Sequence, residues 1–326
     1  MNIKKGIIKY RGKLLGLSGI ERRLGVIEQK VSSVQEMLVL MQDKPTVQTV
    51  LVDPKTLLTR LFTGIKIYLD PQDISVSAHV AVDGVWEKPV TKAWLAVLKK
   101  NDTVLDVGAN FGYFGILAGQ FTDRKDSKVI LFEANKNLIP YITKSLSLNW
   151  LNEHVKVENL AISDRRGKVK LNVLKDYLGS SSLHSVEKLD SFMHEKMQLE
   201  VAESMSVEST TIDMYCKENN IQAVDLIKMD IEGYEEKAYA GMKDIIKSSK
   251  NLTLFIEFTK DTYENPEKFY SDLLKDFGNV YVIDKDGFII KPVDASYDSI
   301  INQTDDWVMP VFSMNPSLEK EQNIVV

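Results

Sequence analysis

Asn101-Asp102-Thr103-Val104-Leu105-Asp106-Val107-Gly108-Ala109-Asn110-Phe111-Gly112-Tyr113-Phe114-Gly115-Ile116-Leu117-Ala118-Gly119 decides how the rest of the chain is read. Val104, Leu105 and Val107 make the apolar run that a strand buried on both faces requires, and it stops at Gly108. Apolar residues resume at helical spacing after a few positions able to turn tightly, which predicts strand, glycine-rich turn and helix. Such a turn presents the helix's free N–H groups and positive end to a ligand. The dinucleotide fingerprint is G-x-G-x-x-G, whereas here Asp106, Gly108, Asn110 and Gly112 stand at every second position. Asn enters the left-handed region at low cost. The acid two places before the first glycine suits a ligand with an ammonium group. S-adenosylmethionine carries such an amino acid end, a ribose and an adenine, and no pyrophosphate. A tight turn without a ligand is the competing reading of this stretch alone.

Downstream, strands alternate with helices, which predicts an α/β chain built on a doubly wound sheet. Lys128 to Phe132 is a short buried strand ending in Glu133, Ala134 and Asn135. A carboxylate there can accept from both hydroxyls of a ribose. Val155 to Ala161 reads as a third strand, and Ala161 and Ile162 offer a small apolar surface to a flat base. From about 165 to 210 the alternation is interrupted by a segment with no core periodicity of its own, the kind of insertion that carries substrate contacts. Ser181, Ser182 and His184 in it could orient a polyhydroxy substrate, and a solvated serine turn with a surface histidine fits them equally. Val207 to Ile212 reads as strand again.

The second anchor is Ala223 to Gly233, where Ile227, Met229 and Ile231 take one face and Lys228, Asp230 and Glu232 the other. Charges on a central parallel strand break the local rule, and such breaks mark functional sites. A plain Lys228–Glu232 pair is the simpler alternative. A helix over Glu235–Ile246 leads to Leu252–Phe258, a buried strand carrying Glu257. A helix (Pro266–Phe277), an antiparallel hairpin turning at Lys285–Gly287 and a last strand within Trp307–Met314 complete the chain.

Upstream, Met1–Gly19 carries Lys4, Lys5, Lys9, Arg11 and Lys13 among apolar residues, a pattern fit to lie on an anionic membrane surface or to pack as a frayed arm. Leu17, Ile20, Leu24, Ile27, Val31, Val34, Leu38 and Met41 follow a heptad, which predicts a short coiled coil and a homo-oligomer through residues 17–41, with one docked amphipathic helix as the alternative. A short helix is expected over Pro54–Phe62. Alternation at Ile65, Ile67 and Leu69, and again at Val76, Ala78, Val80 and Val82, predicts a hairpin. Glu87 follows a glycine turn and is a candidate contact for a cofactor's amino end; a helix over Thr91–Leu98 then reaches the first strand. The expected organisation is an arm and coiled coil over 1–60 and a catalytic domain over 61–326.

The 326 residues are 44% hydrophobic and 27% charged, enough for a sizeable core, and the net charge of -5 argues against a nucleic-acid partner. One cysteine, Cys216, excludes an intramolecular disulfide. No stretch is long and apolar enough to span a bilayer or serve as a signal-peptide core, so a cytoplasmic location is expected, with contact at the inner membrane face if the basic arm binds lipid.

Val104–Phe114, Phe132–Asn135 and Asp225–Glu235, with the Gly84–Glu87 turn, the Ser181-Ser182-Leu183 loop and Ile256-Glu257-Phe258, together resemble the FkbM family of S-adenosylmethionine-dependent methyltransferases. The resemblance runs from about Ile65 to Phe312. Ala134 replaces a frequent Pro, and Tyr234 a frequent Ala, which would narrow the acceptor pocket. It implies a class I methyltransferase (Rossmann-like) fold and O-methylation of a sugar or glycan hydroxyl. Cofactor contacts are then expected from Glu87, Asp106, Gly108, Asn110, Phe111, Gly112, Glu133, Ala134, Ala161 and Ile162. Substrate contacts are expected from Tyr113, Ser181, Ser182, Lys228 and Tyr234. A hydroxyl needs a general base, for which Asp230, then His184, then Glu232 are the candidates. Asp230 and Glu257 could together hold a divalent ion, but a hard cation wants more oxygen ligands than these, so none is expected. A nicotinamide-dependent oxidoreductase and a non-catalytic methyltransferase-like scaffold are the rival readings.

Overall fold

The computed structural model describes residues 48–182, 201–301 and 308–320. The basic arm, the heptads, His184 and most of the 165–210 insertion's charged stretch lie outside them. A three-stranded antiparallel sheet comes first: β1 (Thr49–Asp53), β2 (Thr56–Arg60) and β3 (Lys66–Leu69). Helices α1 (Val76–Asp83) and α2 (Lys88–Val97) lead to β4 (Thr103–Val107), α3 (Tyr113–Phe121), β5 (Lys128–Phe132), α4 (Ile139–Leu148) and β6 (Val155–Glu158). Four strands then form a side sheet, β7 (Ala161–Ile162), β8 (Gly167–Leu174), β9 (Tyr177–Ser182) and β10 (Val201–Thr210), in the order β7-β10-β8-β9. The main sheet resumes after α5 (Ile212–Glu218) with β11 (Leu226–Met229), α6 (Glu235–Ala240), α7 (Lys243–Ser248) and β12 (Thr253–Ile256). It ends with α8 (Pro266–Phe277), β13 (Asn279–Ile283), β14 (Ile289–Ile290), α9 (Tyr297–Ile300) and β15 (Val311–Ser313).

The main sheet has eight strands in the order β14-β13-β15-β12-β11-β4-β5-β6. Strands β6, β5, β4, β11 and β12 are parallel, while β15 runs antiparallel to both β12 and β13. From β4 the chain winds outward to β5 and β6, then returns to place β11 on the other side of β4. That reversal makes the carboxyl ends of β4 and β11 the switch point where a doubly wound sheet binds its ligand. Strand alternation buries the sheet on both faces: Val104, Val129 and Leu131 belong to one core, Leu105, Val107, Ile227 and Met229 to the other. Among the described residues no helix is long and apolar enough to cross a membrane.

Several expectations are corrected here. Pro54–Phe62 holds strand β2, not a helix: Thr56 and Thr59 are buried, on opposite faces, and Leu57 and Leu58 pair with Leu51 and Val50 of β1 and with Leu69 and Tyr68 of β3. This sheet straddles the boundary expected at residue 60. Val76–Val82 is helix α1, not the second strand of a hairpin. Its buried residues are Val76, Ser77 and Val80, a helical face, while Val82 is 74% exposed. Asp73 accepts from Ser77 N (2.7 Å) at its start and Gly84 ends it in the left-handed conformation. Those start and stop signals outweigh the alternation.

The expected helix over Glu235–Ile246 breaks at Gly241, where a Cβ would stand 2.4 Å from the carbonyl oxygen of Ser163. The third strand stops at Glu158, and Ala161–Ile162 joins the side sheet. Ile212 opens α5 rather than closing β10, and Ser181 and Ser182 lie in β9 rather than a loop. The insertion also has a core of its own, in which Leu171, Val173, Met205 and Val207 pack with Ala161 of β7.

Candidate active site

Gly108 leaves β4 with φ 82°, and a Cβ on it would fall 1.8 Å from the carbonyl oxygen of Asp230. Asp230 N in turn donates to Val107 O (3.0 Å). The ends of β4 and β11 are thus joined with no space for a side chain between them. Gly108 N and Ala109 N both donate to Phe132 O (3.0 Å each), which ties the turn to the end of β5. Asn110 takes a left-handed φ of 55°, as its residue type predicts, and its N–H donates to Glu133 Oε2 at 2.7 Å. Glu133 Oε1 accepts from Asn135 N at 2.7 Å. Both oxygens are therefore fixed by backbone donors and still have lone pairs for two further hydroxyls. Burial pushes the Glu133 carboxyl up to about 7.

A cleft opens at this switch point. Its walls include Gly108, Glu133, Ala134, Ala161, Ile162, Asp230 and Glu232, all expected site residues. Leu160 and Leu171 complete its apolar side. Leu171 comes from the insertion, so the side sheet supplies one wall.

Beneath the cleft lies a buried charge cluster. Lys228 is only 3% exposed; its Nζ stands 2.6 Å from Asp230 Oδ2 and 4.6 Å from the ring centre of Phe114. Asp106 is its register partner on β4. Burial alone would lower the ammonium's pKa, but Asp230, Glu87 and Asp106 together raise it, so Lys228 stays charged. Asp106 Oδ2 accepts from Gly115 N (2.7 Å) at the start of α3, and burial pushes the carboxyl up to about 6. Glu87, left-handed at φ 40°, is pushed up to about 7, chiefly by burial. Glu257 lies beside the side chain of Asp230. Burial, then the charges of Asp230, Glu232 and Glu235, hold Glu257 well above the carboxylate range. The Asp230 carboxyl thus stands between the Lys228 ammonium and a Glu257 carboxyl that burial biases toward its neutral form. Three carboxyl oxygens, Glu87 Oε2, Asp106 Oδ1 and Glu257 Oε2, are buried without a hydrogen-bond partner. The simpler reading of Lys228 as the partner of Glu232 gives way to its contact with Asp230.

Other expectations shift. Phe111 is fully buried edge-to-face against Tyr141, with ring centres 5.6 Å apart, and belongs to the core. Tyr113 is 2% exposed with its hydroxyl 3.3 Å from Thr91 Oγ1, so it supports the Trp86–Glu87 turn rather than facing an acceptor. Gly112 has φ 81° and packs against Ile142, Ile116 and Leu131. Tyr234 is half-buried at the start of α6, beside the cleft residue Glu232. His184 and the side chains of Ser181 and Ser182 lie outside the described residues. Among the described residues no three His, Cys, Asp or Glu side chains converge to hold a metal ion.

The sequence reading missed Glu235. It is fully buried, accepts from Ile231 N (2.8 Å) and Gly233 N (3.3 Å), and its Oε2 accepts from Tyr263 OH (2.9 Å). It fixes the turn that carries Glu232, itself left-handed at φ 55°. The available signal was an acid two residues after a glycine at the end of a central strand.

A doubly wound sheet with an antiparallel strand inserted near one edge, and a glycine turn facing buried acids at its switch point, defines the class I methyltransferase architecture. Residues 106–287 match the family model described as the methyltransferase FkbM domain, and the chain belongs to that family. It is thus a methyltransferase by family. It is 25% identical over 194 residues to the 2-O-methyltransferase NoeI of Sinorhizobium fredii, covering 56% of this chain and 75% of that protein. Among solved structures it is similar to the FkbM methyltransferase of Methylobacillus flagellatus, at 15% identity and a TM-score of 0.38; the match covers 66% of this chain and 44% of that one. It is also similar to P. horikoshii TYW2 in complex with MeSAdo, at 14% identity and a TM-score of 0.41, covering 80% of this chain and 71% of that one.

Proposed function

We propose that the chain is an S-adenosylmethionine-dependent O-methyltransferase acting on a hydroxyl of a sugar or glycan. The observation that carries this reading is the surplus of buried, unpartnered carboxyl oxygens beside Lys228 and Asp230: those of Glu87 and Asp106 near the lysine and of Glu257 near the aspartate. Buried polar groups without partners are costly, and these fit a ligand whose amino and sulfonium ends are both cationic. The Gly108 turn, where any Cβ would meet the Asp230 carbonyl, adds a surface that a ligand can approach closely. When bound, that cofactor supplies an activated methyl group.

The chain's own residues do the rest. Glu133 is set to accept from two ribose hydroxyls, and Ala134, Ala161 and Ile162, covered by Leu160 and Leu171, flank a flat base. Asp230, held 2.6 Å from Lys228 Nζ and lining the cleft, takes the acceptor's proton. Lys228 and Glu257 flank and orient that carboxylate, and Glu235 fixes the turn beyond it. Holding acceptor and methyl in line supplies much of the acceleration. The relative named as a 2-O-methyltransferase supports oxygen as the acceptor atom, and the family resemblance supports a sugar.

Thermal-shift measurements with S-adenosylmethionine, S-adenosylhomocysteine and NAD test the reading. Stabilisation by the first two is expected. A response to NAD alone would favour an oxidoreductase, and no response would favour a non-catalytic scaffold. Incubation with labelled cofactor and extracts of the cell envelope then identifies the acceptor.

A further inference from the structure

The β1–β3 sheet turns Thr59, Ile67 and Leu69 inward, all fully buried. Its outer face carries Val50, paired with Leu58, which pairs with Tyr68, and next to that row the pair Arg60–Lys66. Val50, Leu58, Arg60 and Lys66 line an open groove. Lys144 of α4 reaches over the Tyr68 ring at 5.9 Å. Asn149 ties the end of α4 to this sheet, accepting from Lys66 N (3.2 Å) and donating to Lys66 O (2.6 Å). The next residue, Trp150, is 81% exposed at a φ of 57°. A bulky residue at positive φ is a strained outlier, and here the strain leaves a large aromatic ring in solvent. Strand β1 is exposed throughout, including Val50, Leu51 and Val52 at 60%, 62% and 53%.

We propose that the outer face of the β1–β3 sheet, together with Trp150, docks on an anionic lipid bilayer. The charge is complementary: Arg60, Lys66 and Lys144 are basic, and Asp53 at the sheet's edge is answered by Lys144 and Lys55. The residue types are those that settle at a membrane interface, an amphipathic aromatic with long basic side chains whose stems lie along apolar surface. Exposure on both sides of β1 favours a bilayer over a flat protein partner. Val50 and Leu51 point to opposite faces, so a flat partner covers one of them, whereas immersion of the strand's edge in the interfacial layer covers both. The proposal uses none of the basic residues of Met1–Gly19, and it stands whether or not the methyl-transfer reading holds.

Flotation of the full chain with phosphatidylcholine vesicles, with and without phosphatidylglycerol, tests it. Binding is expected only with the anionic lipid and should weaken with salt. Arg60→Gln and Lys66→Gln should each weaken it about fivefold, and about 25-fold together. Trp150→Ala should weaken it as well, each variant keeping the melting temperature of the parent. The proposal is overturned if the parent fails to float. It is overturned too if these variants float as well as the parent while deletion of residues 1–19 abolishes binding, or if Trp150→Ala changes the sedimenting mass, the mark of a second copy on this face, without changing flotation.

Discussion

Gly108 and the carbonyl oxygen of Asp230 stand so close that a Cβ on residue 108 would lie 1.8 Å from that oxygen. The strand end that carries the glycine turn and the one that carries the proposed base are one unit, and placing either fixes the other. Gly108→Ala must therefore push β4 and β11 apart while also strained at φ 82°. A loss of about 2 kcal/mol or more is expected, with the melting response to S-adenosylmethionine abolished. Urea denaturation checks the first and thermal shift the second; a variant as stable as the parent would refute the close approach.

Asp230→Asn keeps the shape of the side chain and removes its basicity. Turnover should fall about 10²–10⁴-fold, the range for a positioned general base, with cofactor affinity nearly unchanged. Labelled-methyl transfer and calorimetric titration of the cofactor read the two separately. Retained activity would remove Asp230 as the base.

Lys228→Met takes the cation from among Asp230, Glu87 and Asp106. Breaking a buried pair from one side costs about 3–5 kcal/mol, and the loss should be larger at pH 8 than at pH 5, where protonation relieves the stranded acids. Equilibrium denaturation at the two pH values decides it.

The ligand-free protein should be more stable at pH 5 than at pH 8. Burial pushes Glu87, Glu133 and Glu235 from 4.5 up to about 7, and Asp106 from 3.8 to about 6. Each of these carboxyls holds its proton more tightly folded than unfolded. Their contribution is full below the unfolded values and is lost as pH rises through the folded ones. A pKa unit corresponds to about 1.4 kcal/mol, so melting points should drop by several degrees across the range. A saturating cationic cofactor should flatten the profile; a curve rising with pH would contradict the assignment.

Glu235→Ala should cost about 1–3 kcal/mol by stranding the amides of Ile231 and Gly233. Glu235→Gln keeps an acceptor for them and should recover most of that stability. If Gln and Ala behave alike in denaturation and in turnover, the turn is not held in this way.

Much of the site was legible because it rests on local rules. A strand, a glycine turn and a left-handed Asn predict the stretch around Gly108, and acids at strand ends predict Glu133 and Asp230. Lys228 stood out as a charge on a strand otherwise apolar on both faces. What escaped depends on direction. Phe111 and Tyr113 adjoin the glycine turn in sequence, yet their side chains point into the core. Val76–Val82 alternates like a strand, but Asp73 and Gly84 bound it as a helix. Thr56–Arg60 has no strong signal of its own and becomes a strand through its neighbours on both sides. Glu235 is polar and opens a helix, the usual sign of an exposed side chain, and only the fold shows what it holds.

Strand β15, residues 311–313, sits between β12 and β13 rather than at the sheet's rim. During synthesis, then, a slot flanked by β12 and β13 stays open until residue 313 has left the ribosome tunnel, and the late-arriving strand closes it. A nascent chain stalled before residue 311 is therefore expected to expose two unpaired edges to chaperones.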